Sequence, residues 1–225
     1  MRSFGCPALL AGVFLMSAMA GVAHAQMARS QPSPEESVWY AQALVEATFG
    51  NLSSQSYGLE AGVTVRPDLQ VFVEGGRVNN VASSAFATAA QLIAGSLGQT
   101  QSQVGYSAKE PVVFGDAGVR YLVPVSGTSL QPYVLGGFGI ARVKQDATFS
   151  VGGSDVTGNL AQYGIVLGTD LSSTFTNPLL VLGAGLTVPV WQHLAVDVHY
   201  RYGRIFAGDA GFNVSRAGIG FGVRF

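Results

Sequence analysis

Charge is scarce in this sequence. Of its 225 residues only 11% are Asp, Glu, Lys or Arg, and they nearly cancel to a formal net charge of −1. A soluble domain usually carries about 25% charged residues, so the surface is not an ordinary aqueous one. With no basic excess, the electrostatic footprint of a nucleic-acid binder is missing. Cysteine is nearly missing as well, the single copy being Cys6. His193 and His199 stand six residues apart with no cysteine near them, which gives no zinc spacing, and no cofactor is expected. After residue 25 there is no run of about 18 apolar residues, which excludes a transmembrane helix from that part of the chain. What is abundant points the other way. The chain is 48% hydrophobic and holds 30 glycines, which excludes intrinsic disorder and favours a structure against lipid.

Residues 1–25 read as an address. Arg2 supplies the positive start, Ala8 to Ala20 the apolar stretch, and Ala23-His24-Ala25 a small-x-small cleavage site before Gln26. The run is too short for an anchor, and Cys6 lies at its wrong end for lipid attachment. An exported chain without a disulfide must be held by something else. Residues 26–38, with Pro32 and Pro34, are expected to be a flexible lead, and residues 39–225 one unit.

That unit alternates. Eight segments place apolar residues at every second position: 40–50, 56–65, 69–78, 112–123, 132–143, 178–189, 193–205 and 213–225. In the last, Ala217, Ile219, Phe221, Val223 and Phe225 share a face opposite Arg216, Gly218, Gly220, Gly222 and Arg224. In the fifth, Val134, Phe138 and Ile140 are assigned outward. A period of two means strands with one apolar face. Prolines fit this placement: Pro67 in a turn, Pro111, Pro132 and Pro178 at strand starts, Pro124 and Pro189 at strand ends. Links at 66–68, 125–131 and 190–192 are short, those at 79–111 and 144–177 long, and those at 51–55 and 206–212 intermediate. Within the first long link, Phe86, Ala90, Ile93 and Leu97 recur at helical spacing between Ser84 and Gly98. If the 144–177 link holds a hairpin, the strand count rises to ten.

The charges choose the orientation. Glu46, Glu60, Glu74, Asp116, Arg120, Asp197, His199, Arg201, Arg216 and Arg224 all fall opposite the apolar face. A Lys or Arg facing lipid at mid-bilayer costs about 2–4 kcal/mol and about 0–1 near the interface. Only Arg77 and Arg142 are assigned outward, both near the long-loop end. Aromatics gather at both edges: Trp39, Tyr40, Tyr121, Trp191 and Phe225 at the short-turn end, and Phe49, Tyr57, Tyr200, Tyr202 and Phe206 at the long-loop end. In lipid every backbone N–H and C=O needs an internal partner, which strands supply only by closing. The expected fold is all-β: a closed antiparallel eight-stranded transmembrane barrel with short periplasmic turns and longer extracellular loops. A soluble lipocalin-like barrel, turned the other way out, is the alternative.

On the PYVLGGFGIAR, AVDVHYRYGRIF and GIGFGVRF segments, residues 39–225 resemble the small eight-stranded outer-membrane barrels, such as the membrane domain of OmpA. The resemblance implies an integral outer-membrane protein with both termini periplasmic, outer-membrane lipids and lipopolysaccharide as its surroundings, and the barrel-assembly machinery as a partner in biogenesis. Ile219, Phe221, Val223 and Phe225 are similar to the signal that machinery reads. Longer relatives carry a peptidoglycan-binding domain after the barrel, and no such tether is expected here. The resemblance also implies ion pairs in the lumen, formed among the inward charges named above.

Those charges fit a structural plug, and also a narrow pore for ions or small solutes. Lipid-A deacylases and palmitoyltransferases use this scaffold, and Asp197 with His199 is the nearest approach to their chemistry. No serine stands beside them, so a catalytic site is not expected. The Gly-x-Gly repeats sit inside strands without a P-loop lysine and bind no nucleotide. Finally, the long loops, rich in Ser, Thr, Gly, Asn and Gln, offer a surface for adhesion or host contact.

Overall fold

Residues 39–50, 52–165, 172–207 and 211–225 are described by the computed structural model. Cys6, the cleavage residues Ala23 and Ala25, and the lead 26–38 lie outside the described residues. Eight antiparallel strands close into a barrel: β1 (Trp39–Phe49), β2 (Ser54–Arg66), β3 (Leu69–Val78), β5 (Val112–Leu122), β6 (Gln131–Lys144), β9 (Thr174–Pro189), β10 (Leu194–Ile205) and β11 (Phe212–Arg224). Around the ring the order is β1-β11-β10-β9-β6-β5-β3-β2. First and last strands form the seam, zipped from Tyr40 opposite Arg224 to Phe49 opposite Ser215. No sheet edge is left in the barrel, which is what a spanning sheet requires.

The walls carry their apolar side chains outward. Phe138 is 73% exposed and Leu59 69%, with Val73, Val113, Ile140, Val198 and Phe221 exposed beside them. Tyr40 departs from the expected girdle. It shares its face of β1 with Glu46, so the pleat turns its ring into the lumen, where it is buried. Trp39, its neighbour, points out.

Pro178 also departs from its expected place, because β9 begins earlier, at Thr174. It is tolerated for a local reason. Phe206 N–H donates to the Pro178 carbonyl, so the prolyl nitrogen faces the β10 side, where strand pairing has already stopped at Ile205 opposite Leu179. A missing N–H there costs no ladder bond.

The two long links fold together. The first contains α1 (Ser84–Gly98), capped by the Ser83 side chain accepting from the Phe86 N–H, and β4 (Val104–Lys109). The second contains β7 (Asp146–Val151), β8 (Ser154–Asp155) and a 3-10 helix, Thr157–Tyr163. The strands β4, β7 and β8 form a separate three-stranded sheet. The second link therefore does add strands, but they join the cap and the barrel stays at eight. Phe86, Ala90, Ala94 and Leu97 of the helix bury against Ala147, Phe149 and Leu160, which is enough apolar surface to give the cap a core of its own.

Below this core sits a polar clasp. Glu110, buried, accepts from the Ser83 N–H at 2.7 Å and from Gln145 Nε2 at 3.1 Å. The Asn80 side chain accepts from the N–H groups of Ala82 and Glu110, and Ser173 donates to Gln145. Four crossings of the chain between barrel and cap are thereby tied to one another.

Candidate functional site

Strand register sets the chemistry of the lumen. On β2, β3 and β5, Glu60 lies opposite Glu74, and Glu74 opposite Asp116, so three carboxyl groups stand side by side on one wall. On β10 and β11, Arg201 lies opposite Arg216. Like charges directly opposite one another are destabilising. Each wall is relieved by the other, across the lumen.

Arg201 is fully buried and grips two glutamates. Its Nη2 donates to Glu60 Oε2 at 2.6 Å and its Nη1 to Glu74. Arg216 Nη1 donates to Glu74 Oε1 at 2.7 Å and to Glu46 Oε2 at 3.1 Å, with its guanidinium over the Phe114 ring. Arg120 pairs with Glu60 and lies between the rings of Tyr40 and Tyr133. Tyr40 and Gln42 complete Glu60 at 2.8 and 2.9 Å.

His199 links two of the acids. Its Nδ1 faces Asp197 Oδ1 at 2.7 Å and its Nε2 faces Glu46 Oε1 at 3.0 Å. Asp197 also accepts from Tyr133 and Thr187. Buried charges of this kind persist only when paired and hydrogen-bonded. Asp116 is the exception: it is 6% exposed, and neither carboxyl oxygen meets a hydrogen-bond partner among the described residues.

Of the inward charges expected from the sequence, Glu46, Glu60, Glu74, Arg120, Asp197, His199, Arg201 and Arg216 meet in this network. Asp116 lies in the same layer, outside its bonds. Arg224 is half-buried at the short-turn mouth, where it bounds a space of about 20 Å³ with Tyr40, Gln42, Gln70 and Arg120. That is room for about one water.

Sequence reasoning missed Tyr40, Gln42, Tyr133 and Thr187 as members. The signal was present in the pleat: Tyr40 and Gln42 share the parity of Glu46, and Tyr133 alternates with the outward Val134. It also missed that the lumen is not polar throughout. Toward the long-loop end the interior turns apolar, with Val78, Val112, Phe114, Val143, Leu179, Val181, Ile205 and Val214 packed together. Lumen aromatics need glycine opposite them. A Cβ on Gly62 would stand 2.3 Å from the Tyr40 ring, and one on Gly185 2.5 Å from that of Tyr133.

The arrangement holds charge in place across the lumen. Both ring nitrogens of His199 face carboxylates, and among the described residues no hydroxyl is bonded to it.

Several solved outer-membrane barrels are similar to this chain in fold. Neisserial surface protein A matches at 18% identity over 84% of this chain and 98% of its own, with a TM-score of 0.53. The N-terminal barrel of Pseudomonas aeruginosa OprF matches at 14% identity over 82% of this chain and 96% of its own, TM-score 0.46. Ail, the attachment invasion locus protein of Yersinia pestis, matches at 14% over 83% and 96%, TM-score 0.45. Among curated protein sequences, none matches this one. The family described as outer membrane protein beta-barrel domain matches residues 8–225. By that match and by its closed ring of eight strands, the chain belongs to the outer membrane protein beta-barrel domain family.

Proposed function

We propose that the protein is a structural barrel of the outer membrane, closed to solute flow and inert as a catalyst. The observation that supports this reading is the bridge from wall to wall: Arg201 and Arg216 reach across the lumen to Glu60, Glu74 and Glu46. Above that layer Phe114, Val112 and Val143 fill the interior, so an ion entering from the long-loop end meets an apolar plug before any charge. Opening the lumen would break several buried ion pairs at once, at a cost of several kcal/mol each. Both chain ends of the barrel lie with the short turns, on the proposed periplasmic side. The outward Ile219, Phe221, Val223 and Phe225 are the proposed contact for the assembly machinery. Planar-bilayer recording of the refolded protein tests the closed lumen. A silent membrane is the expected result, and unitary conductance steps from the unaltered protein would overturn it.

A second reading is contact through the cap, supported by its separate apolar core. A folded cap presents a fixed surface, which loose loops do not. Cells carrying the barrel with both long links shortened, scored for surface binding, separate the two readings: unchanged binding leaves the structural role alone.

A further inference from the structure

Among the described residues, no carboxylate of a barrel strand faces outward, because Glu46, Glu60, Glu74, Asp116 and Asp197 are all buried in the lumen. At the long-loop end four cations do: Arg77 of β3, Arg142 and Lys144 of β6, and Arg204 of β10. They are not spread evenly around the rim. On the β10–β11–β1 side the polar groups satisfy one another, Arg204 donating to Asn213 at 2.8 Å and Tyr200 to Ser215 at 2.9 Å.

The opposite side is different. Register sets Tyr57, Arg77, Val113, Arg142 and Thr176 in one row across β2, β3, β5, β6 and β9. Lys144 and Thr174 stand opposite one another just above it, with Lys144 held by Asp146 at 3.3 Å. Arg77 and Arg142 are exposed, and among the described residues neither side chain meets a carboxylate or a hydrogen-bond acceptor. They lie two strand spacings apart, about 10 Å. Directly below them on the same face come Ile140, Phe138 and Val73, all exposed and apolar.

A guanidinium fork matches phosphate oxygens bidentately, and an exposed threonine hydroxyl adds a further donor. A ligand that satisfies both the row and the greasy wall beneath it must carry anionic phosphate on an apolar body. We propose that Arg77, Arg142 and Thr176 form a binding site for the phosphorylated headgroup of lipid in the leaflet at the long-loop end. This rests on the reading of the chain as an outer-membrane barrel with that end at the cell surface. The site anchors the barrel at a fixed depth and azimuth, because Arg77 and Arg142, which meet no acceptor among the described residues, both stand on one side.

The test uses the full chain refolded in detergent micelles. Diphosphorylated lipid A and its dephosphorylated form are titrated separately, and native mass spectrometry counts the adducts. The unaltered protein is expected to bind the phosphorylated lipid about tenfold or more tightly than the dephosphorylated one, as lost charge-assisted hydrogen bonds imply. The R77Q/R142Q variant loses that preference, R77K/R142K keeps part of it, and R66Q, altered at the short-turn end, keeps all of it. Equal binding of the two lipids by the unaltered protein, or an undiminished preference in R77Q/R142Q, would overturn the site. So would selective binding of soluble heparin without any lipid-phosphate preference, which would make the row a polyanion surface. Gel mobility before and after boiling reports the barrel separately. A heat-shifted protein with no lipid preference contradicts only the site, whereas an unshifted one contradicts the barrel reading beneath it.

Discussion

In the lumen, Arg201 and Arg216 are held by three glutamates of other strands; in the cap, Phe86, Leu97 and Phe149 close on one another without an ion pair among them. The barrel spends its apolar residues on its outer wall, facing lipid, and has charges and glycines left for part of its interior. The cap keeps most of its apolar residues in, Leu92 and Tyr106 excepted. Each region puts toward its surroundings what those surroundings solvate, and fills its centre with the remainder. Interior polarity is therefore a consequence of where the solvent is, and the two regions should fail in different ways when altered.

The largest effect is expected at Arg201. Arg201→Met leaves Glu60 and Glu74 side by side with a buried cation removed, and should cost about 3–5 kcal/mol in urea unfolding from detergent or liposomes. The matched change in the cap is Phe149→Ala, expected to cost about 3 kcal/mol of cap stability. Limited proteolysis should then cut residues 79–111 and 144–165 while the barrel keeps its heat-dependent gel mobility. A variant that lost both together would erase the contrast between the regions. Glu110→Ala sits between them. It leaves the half-buried Ser83 N–H without its acceptor and should cost about 1 kcal/mol, read as faster amide exchange in α1 with the lumen pairs unchanged. The smallest effect has the opposite sign. Asp116→Asn removes one charge from a row of three carboxyl groups and breaks no hydrogen bond, so stability should rise by about 0.5–1 kcal/mol. A loss there would mean that Asp116 is engaged after all.

The barrel was largely legible because period-two alternation is a local property: each strand states its own two faces within ten residues. Proline positions and link lengths repeat the same information. Tyr40 carries two opposed signals: an aromatic at a strand end suits a girdle, whereas its parity with Glu46 puts it in the lumen. The pairing inside the lumen was not legible. Glu60, Glu74 and Asp116 become neighbours only once three strands are in register, and Arg201 finds Glu74 from 127 residues away. A list of inward charges cannot say which touch. The cap was legible in half. Helical spacing marked α1, but Val104–Lys109 pairs with Asp146–Val151 across the whole of β5 and β6, and neither short segment alternates strongly enough to announce itself.

The barrel depends on the orientation of its wall: apolar side chains toward lipid and ionised ones toward the axis. Because Cys6 is the one cysteine in the sequence, single cysteines introduced along β10 can carry spin labels without interference once it is replaced. Collision rates with lipid-dissolved oxygen should be high for Val196→Cys, Val198→Cys and Tyr200→Cys, and low for Ala195→Cys and Gly203→Cys. Uniform rates along the strand, or the reverse alternation with positions 195 and 203 reaching the lipid, would contradict the account.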